Sequence, residues 1–528
     1  MTQAVASVGN GIARDTAAIT GLNFLSRATG FVRVLAMAAA LGATSLGNAY
    51  QSANLVSNIL FELLAGGLLA AVLVPVFVER FAADDRAGAL ALAGALLGRA
   101  LAGLTLIVAI LMVAADPLMR LLTIGASTDR DAQIELGSYL LLFFLPQILL
   151  YATGAVATAL LHADRRFIAA AAAPVANNLV VIVTMVGFRL MRDGGTDLPL
   201  AGDEMFVLAV GTTAGVAAMT LVPLFAVRRA GSNLIPRWGG SPVPLRPLAA
   251  KGFWAAGHLG LNQVMVAATI VLAAQVEGGV VAYQIAFTFF LLPHGLLANP
   301  IYTVMFPRFA RHAQEGRLDD FADDVGLGLR LTALLLVPAA GLLLALAGPV
   351  LTLVRLGNLD QAGADLVAVV LAGYSLGLLG YSAFFLLTRA SYALDDARSP
   401  TIVNGYVTAV ALPAMVITST LADGDAKVAV LGVVNAVAVV AGSTGLFLVV
   451  RRQINRLIPC LAAIARAIAL TVVASGAAYL VARWVGDATR SDAALAVGSG
   501  AGLGLALYAT GQFLWGADDV RTLLRTAR

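Results

Sequence analysis

Between residues 18 and 515 the chain is a succession of apolar runs of about 20 residues, separated by short polar stretches. Wound as a helix, at about 1.5 Å per residue, such a run crosses about 30 Å of hydrocarbon. Inside a bilayer every backbone N–H and C=O must find its partner within the protein, which leaves only helices and closed barrels. Barrel strands are short and alternate apolar with polar residues; these runs do neither. Composition agrees, with 60% hydrophobic and only 12% charged residues, against about 25% charged in a soluble domain. The expected fold is an all-α polytopic membrane protein with fourteen transmembrane helices. Their spans fall near 18–42, 49–78, 88–115, 135–161, 167–190, 204–227, 252–275, 279–307, 329–354, 364–388, 399–421, 427–450, 459–482 and 493–515. The polar residues 1–15 and the two arginines of the first run speak against a cleavable signal peptide.

Lys and Arg positions orient these spans. With the N-terminus inside, about 21 of the 34 basic residues fall in inside segments and about 8 in outside loops. Both termini are therefore expected in the cytoplasm. The net charge of +4 arises from these loop arginines, not from a nucleic-acid footprint, so no nucleic acid is expected as a partner. The sequence contains no Walker loop, metal-ligand cluster or nucleophile–base motif. No enzyme activity, cofactor or metal is expected, and the lone Cys460 allows no internal disulfide.

A short motif repeats. "AYQSA" opens span 2 at Tyr50, and "AYQIA" opens span 8 at Tyr283, with Pro75 and Pro307 further along. An offset of six helices is even, so both copies run in the same direction, which marks a parallel repeat about an axis along the membrane normal. This predicts two pseudo-symmetric six-helix lobes, 1–230 and 231–455, followed by two C-terminal helices in 456–528. After each tyrosine the polar residues share a helical face. Gln51, Asn54, Asn58 and Glu62 lie within an arc of about 80°, and Gln284, Thr288, Gly295 and Asn299 within about 60°. Such stripes face either a water-filled cavity or other helices through interhelical hydrogen bonds.

Charges within spans cost roughly 2.5–3.5 kcal/mol each on insertion scales. Arg330 is read as snorkelling; Arg99 and Arg466 stay open between structural and functional roles. Arg27 and Arg33 lie on span 1 in "SRATGFVRV", about 9 Å apart along the axis and about 120° apart around it. Guanidinium groups suit phosphate oxygens, so an anionic ligand is one reading; helix capping or lipid-headgroup contact is the other. Glu62 is the one carboxylate placed deep in a span, with substrate contact, proton coupling and an ion pair to Arg27 or Arg33 as candidate roles. His258 and Asn262 share a face of span 7, with Gln263 beside them. His294 of span 8 reads as a satisfied internal histidine.

Three stretches carry a resemblance. "LSRATGFVRVLAMAAALGA" and "SNILFELLAGGLLAAVLVPVF", "LLPHGLLANPIYTVMFPRFARHAQEG", and "LLTRASYALDDARSPTIVN" resemble the MurJ/MviN family. Its members are lipid II flippases of the multidrug/oligosaccharidyl-lipid/polysaccharide exporter superfamily. The resemblance implies two lobes around a central cavity, with spans 13 and 14 forming a groove for a polyprenyl tail. It maps the family's essential first-span arginines onto Arg27 and Arg33. It further implies alternating access in the bacterial cytoplasmic membrane, with the polar residues of spans 2 and 8 contacting sugar and peptide. The implied partners are an undecaprenyl-pyrophosphate-linked muropeptide, membrane lipids and cell-wall synthesis proteins. The chain departs from the family pattern at Ser57-Asn58, at Phe61 and Glu62 where arginines are usual, at Asn48 for an acidic residue, and at Thr288 for a cation. Three other readings compete: a paralogous exporter of another lipid-linked oligosaccharide or amphiphile, a cation-coupled drug antiporter, and a non-transporting scaffold.

Overall fold

The computed structural model describes residues 2–63, 69–126, 128–238 and 245–515, and the regular structure among them is helical. The helices are α1 (Thr2–Leu41), α2 (Ser45–Leu63), α3 (Leu69–Ala82), α4 (Arg86–Val113), α5 (Ala115–Leu122), α6 (Arg130–Phe144), α7 (Gln147–Ala163), α8 (Ile168–Met191), α9 (Gly202–Arg229) and α10 (Leu245–Ala273). There follow α11 (Gly279–Pro293), a π-helical turn (His294–Ala298), α12 (Asn299–Gln314), α13 (Leu318–Val354), α14 (Gln361–Ser375), α15 (Leu378–Ala393), α16 (Arg398–Leu421), α17 (Ala426–Ile454), α18 (Leu461–Val485) and α19 (Arg490–Trp515). Twelve membrane-length apolar spans are described, or thirteen when α14 and α15, bent by 48°, count as one. The remaining expected span, 49–78, falls on α2 and α3, and residues 64–68 between them lie outside the described residues. The count of fourteen stays an expectation.

Local chemistry sets the helix ends. Asp85 accepts the Gly88 N–H at 2.8 Å ahead of α4, and Asp360 accepts that of Gly363 at 2.8 Å ahead of α14. Each carboxylate satisfies a donor that the first turn leaves without an intrahelical partner. Gly42, at φ 69°, turns the chain out of α1 in the left-handed region that a Cβ disfavours.

The chain divides into two compact units, Met1–Gln263 and Val264–Arg528, with the division inside α10. Taken separately, the two units follow one plan. In the first, α2 and α3 pack on α6 and α7, which pack on α9, and α8 packs on α9. In the second, α11 and α12 pack on α14 and α15, which pack on α17, and α16 packs on α17. The interruptions recur as well. Span 4 breaks at Leu145-Pro146 and span 10 at Leu376-Gly377. Pro293 has no N–H to donate, and the ladder of span 8 shifts there into the π-helical turn. Even the side chains at the break correspond. Phe61 stacks on Tyr151 with ring centroids 4.5 Å apart. His294, as far beyond Tyr283 as Phe61 is beyond Tyr50, bonds Ser382 Oγ through Nδ1 at 2.9 Å. The final helices α18 and α19 pack on each other and on α13 within the second unit.

The quoted motifs also lock helix ends. Arg308 and His312 of α12 meet the buried Asp324 of α13. His312 Nδ1 lies 3.0 Å from Asp324 Oδ2, at an angle outside hydrogen-bonding geometry. Asp396, between α15 and α16, accepts the N–H groups of Arg398 at 3.1 Å and Ser399 at 2.9 Å, and also bonds Gln453. Partial burial pushes its carboxyl up, but these hydrogen bonds outweigh burial and hold it below the ordinary carboxylate range. A depressed carboxyl contributes stability that is present above its unfolded value, about 4, and lost as pH falls through the folded value. Asp396→Ala is expected to cost about 1 kcal/mol at neutral pH, typical of a lost helix cap. Thermal unfolding of the purified protein should show this deficit shrinking on acidification; a pH-independent deficit would contradict it.

Candidate functional site

Span 1 carries its two arginines into different surroundings. Arg27 is exposed and makes no hydrogen bond or ion pair among the described residues. Arg33 is half-buried, and its Nε is buried without a hydrogen-bond partner among them. Its guanidinium lies within electrostatic reach of the phenols of Tyr50 on α2 and Tyr151 on α7. Both phenols are already engaged. Tyr50 pairs with Thr212 Oγ1 of α9 at 2.7 Å, and Tyr151 with Ser57. The Ser57 hydroxyl in turn reaches the Phe144 carbonyl at 3.1 Å and Gln147 Oε1 at 3.3 Å, at the break of span 4. A buried donor without an acceptor costs about 1–3 kcal/mol, and more when charged. The hydrogen-bonded phenols leave the Nε of Arg33 free for an incoming acceptor. Tyr151 also walls a cavity of about 280 Å³ in the first unit, together with Phe61, Thr158, His162 and Thr220.

Along the polar stripe of α2, Gln51 is buried and the residues after it are more open. Asn54 and Asn58 are half-buried, and neither side chain makes a hydrogen bond among the described residues. Glu62, expected deep in its span, is exposed one residue before the described end of α2, and it pairs with neither Arg27 nor Arg33. Tyr50 and Ser57 of α2 bond across to α9 and α6. In the second unit Gln284 is half-buried, whereas the Thr288 hydroxyl donates back to the Gln284 carbonyl at 2.8 Å and is used within its own helix. His258 and Asn262, one turn apart on α10, come within 3.5 Å of each other.

Other sequence candidates fall elsewhere. Besides its bond to Ser382, His294 sits against Tyr381, Phe385 and Tyr302, so it is a core residue of the second unit. Arg466 bonds Gln512 across α18 and α19 at 3.3 Å, and Arg330 reaches the Pro459 carbonyl at 3.3 Å. Among the described residues no group of three His, Cys, Asp or Glu stands close enough to hold a metal ion. An apolar cavity of about 510 Å³ opens in the second unit, lined by Leu329, Val337, Leu379, Phe447, Ile464 and Ile468 among others. Its walls come from spans 9, 10, 12 and 13; the wall expected from span 14 is not among them.

A duplicated helical bundle of membrane-length spans, with a half-buried guanidinium facing no carboxylate, fits a transporter scaffold. The profile described as Lipid II flippase MurJ matches residues 37–488, and the chain belongs to that family. A probable lipid II flippase MurJ of Rhizobium meliloti is 26% identical over 490 residues, covering 92% of this chain and 89% of the relative. The lipid II flippase MurJ of Burkholderia cenocepacia is 24% identical over 72% of this chain and 73% of its own length. Among solved structures, a lipid II flippase MurJ in an inward closed conformation superposes with a TM-score of 0.75 at 17% identity, covering 95% of this chain and 99% of that one. An inward-facing multidrug resistance MATE family transporter of the MOP superfamily follows at 0.67, with 15% identity over 82% of this chain and 94% of its own. At these identities the two structures speak for the fold alone.

Proposed function

We propose that the chain flips lipid II, the undecaprenyl-pyrophosphate-linked peptidoglycan precursor, from the inner to the outer leaflet of the bacterial cytoplasmic membrane by alternating access. Membership of the flippase family supports the substrate. The observation in the chain itself that supports this reading is Arg33, a guanidinium inside a span whose Nε has no protein acceptor. Pyrophosphate oxygens match that donor in charge and geometry. Arg27, exposed on another face of span 1, is assigned as a second cation for the same headgroup on the family resemblance alone. Asn54, Asn58, Glu62, His258, Asn262 and Gln284 contact sugar and peptide, and Thr288 lends only its methyl face. The polyprenyl tail stays in apolar surroundings, for which the 510 Å³ cavity beside span 13 supplies a wall. Partners are the lipid-linked precursor and the surrounding lipids, together with proteins that consume the product at the outer face. The basic residues of the inside loops favour cytoplasmic termini.

Membrane potential supplies a drive of the right sign. It supplies about 2.3 kcal/mol per charge per 100 mV, and an inside-negative potential pushes an anion outward. Proton coupling through Glu62 is the alternative. Followed across external pH, Glu62→Gln is expected to keep a transport profile parallel to that of the parent chain; a profile that flattens only in the variant would assign coupling to this carboxylate. The proposal as a whole is tested by expressing the chain in bacteria depleted of their own lipid II flippase. Restored growth is expected, and lysis despite membrane-localised protein would overturn it.

A further inference from the structure

Span 5 holds span 1 at two heights. Asn178 of α8 is nine-tenths buried, and its Nδ2 donates to the Ser26 carbonyl at 3.2 Å and to Thr29 Oγ1 at 3.0 Å. A carbonyl only accepts, so Ser26 fixes which end of the amide faces span 1. The Thr29 hydroxyl donates to the Leu25 carbonyl at 2.8 Å, which leaves its lone pairs for Asn178. Gly30 lies alongside: a Cβ there would stand in ordinary contact, 3.5 Å from Asn178 Nδ2. Further along, Arg189 Nη1 of α8 donates at 2.5 Å to the Ala39 carbonyl, one of the last four of α1 and so without an intrahelical donor.

The contacts at Ser26 and Thr29 stand between and beside the two arginines. On an ideal helix Arg33 lies within about 20° of Ser26 and about 40° of Thr29, whereas Arg27 lies about 100° and 160° away. The face gripped by Asn178 is therefore the face that carries Arg33 into the lobe and leaves Arg27 out. This accords with the half-buried Arg33 and the exposed Arg27.

We infer that Asn178 is a positioning residue: it sets the rotation of span 1 about its own axis and thereby aims Arg33 at the phosphate of the transported lipid. The inference rests on the reading of Arg33 as a headgroup ligand. Because Asn178 acts through Arg33, the two substitutions are expected not to add. The full-length chain in lipid nanodiscs is titrated with purified lipid II, comparing the parent, Asn178→Ala, Arg33→Ala and the double variant. Asn178→Ala is expected to weaken binding about tenfold, the size of a coupling between contacting residues. In the Arg33→Ala background it is expected to have no further effect. Asn178→Asp, of the same shape but unable to donate to a carbonyl, is expected to behave as Asn178→Ala. A loss of similar size in both backgrounds would mean that Asn178 only stabilises the bundle, and would overturn the inference. So would parent-like affinity for Asn178→Ala while Arg33→Ala binds weakly. Parent-like binding by Arg33→Ala would instead overturn the headgroup reading itself. Thermal unfolding run alongside removes misfolded variants from the comparison, and Asn178→Asp stands in if Asn178→Ala does not fold.

Discussion

Arg33→Ala is expected to abolish rescue of a flippase-depleted strain while the protein still reaches the membrane, and Arg27→Ala is expected to do the same. The first result is expected from the buried Nε. In the absence of ligand Arg33 has no hydrogen-bonding partner there among the described residues, so replacing it with alanine removes a desolvated charge without stranding an acceptor. Folding should tolerate the change or even gain from it, because an unpaired buried charge opposes stability. Transport should not survive, because a charge-assisted bond to pyrophosphate in a site with little water is worth far more than its exposed equivalent. Arg33→Lys is expected to rescue poorly, since an ammonium does not reproduce the planar fork. Full rescue by both alanine variants, scored as colony formation after depletion, would remove the anion site.

The second large effect lies away from the ligand. Gly98 of α4 faces the backbone of the segment that follows α9: a Cβ at this position would stand 2.3 Å from the Arg237 carbonyl oxygen, and one at Gly94 would stand 2.4 Å from that of Ile235. Arg237 N–H donates to the Gly94 carbonyl at 2.8 Å, so the segment is bonded into the groove these glycines leave. Arg86 anchors its start through Ser232 Oγ at 3.3 Å and the Ala230 carbonyl at 3.1 Å, and pairs with Asp164 at 3.2 Å. Gly98→Leu must push backbone against backbone, and overpacking of this kind costs about 1–3 kcal/mol. A clear drop in the thermal midpoint is expected. Gly103→Ala on the same helix supplies the control. Nothing stands within 4 Å of its added Cβ, and alanine in a helix gains up to about 1 kcal/mol over glycine. Equal melting of the two variants would contradict the docked segment.

The spans could be read in advance because apolar length is a local property. Residues 399–421 were expected, and α16 runs Arg398–Leu421; 427–450 were expected, and α17 runs Ala426–Ile454. The internal repeat was legible from Tyr50 and Tyr283, and the matching interruptions of spans 4 and 10 extend it beyond the motif. What a single span cannot reveal is its partner. The 120° between Arg27 and Arg33 already separated their faces, but nothing in "SRATGFVRV" says which face turns inward. That depends on Asn178, an amide in an apolar stretch that reads the same whether it meets a carbonyl, a hydroxyl or another amide. Thr288 was counted with the polar stripe of span 8, yet its hydroxyl bonds its own backbone. Glu62 counted as deep because the apolar run continues past it, whereas among the described residues its side chain is exposed.

The claim on which the rest depends is that this chain moves a phosphorylated lipid head across the bilayer. The most direct test is the leaflet distribution of lipid II in cells whose only flippase is this chain, read by whether an external enzyme can cleave the lipid before and after depletion. Cleavable lipid II should disappear as the chain is depleted, while total lipid II rises. An undiminished cleavable pool after depletion would contradict the account.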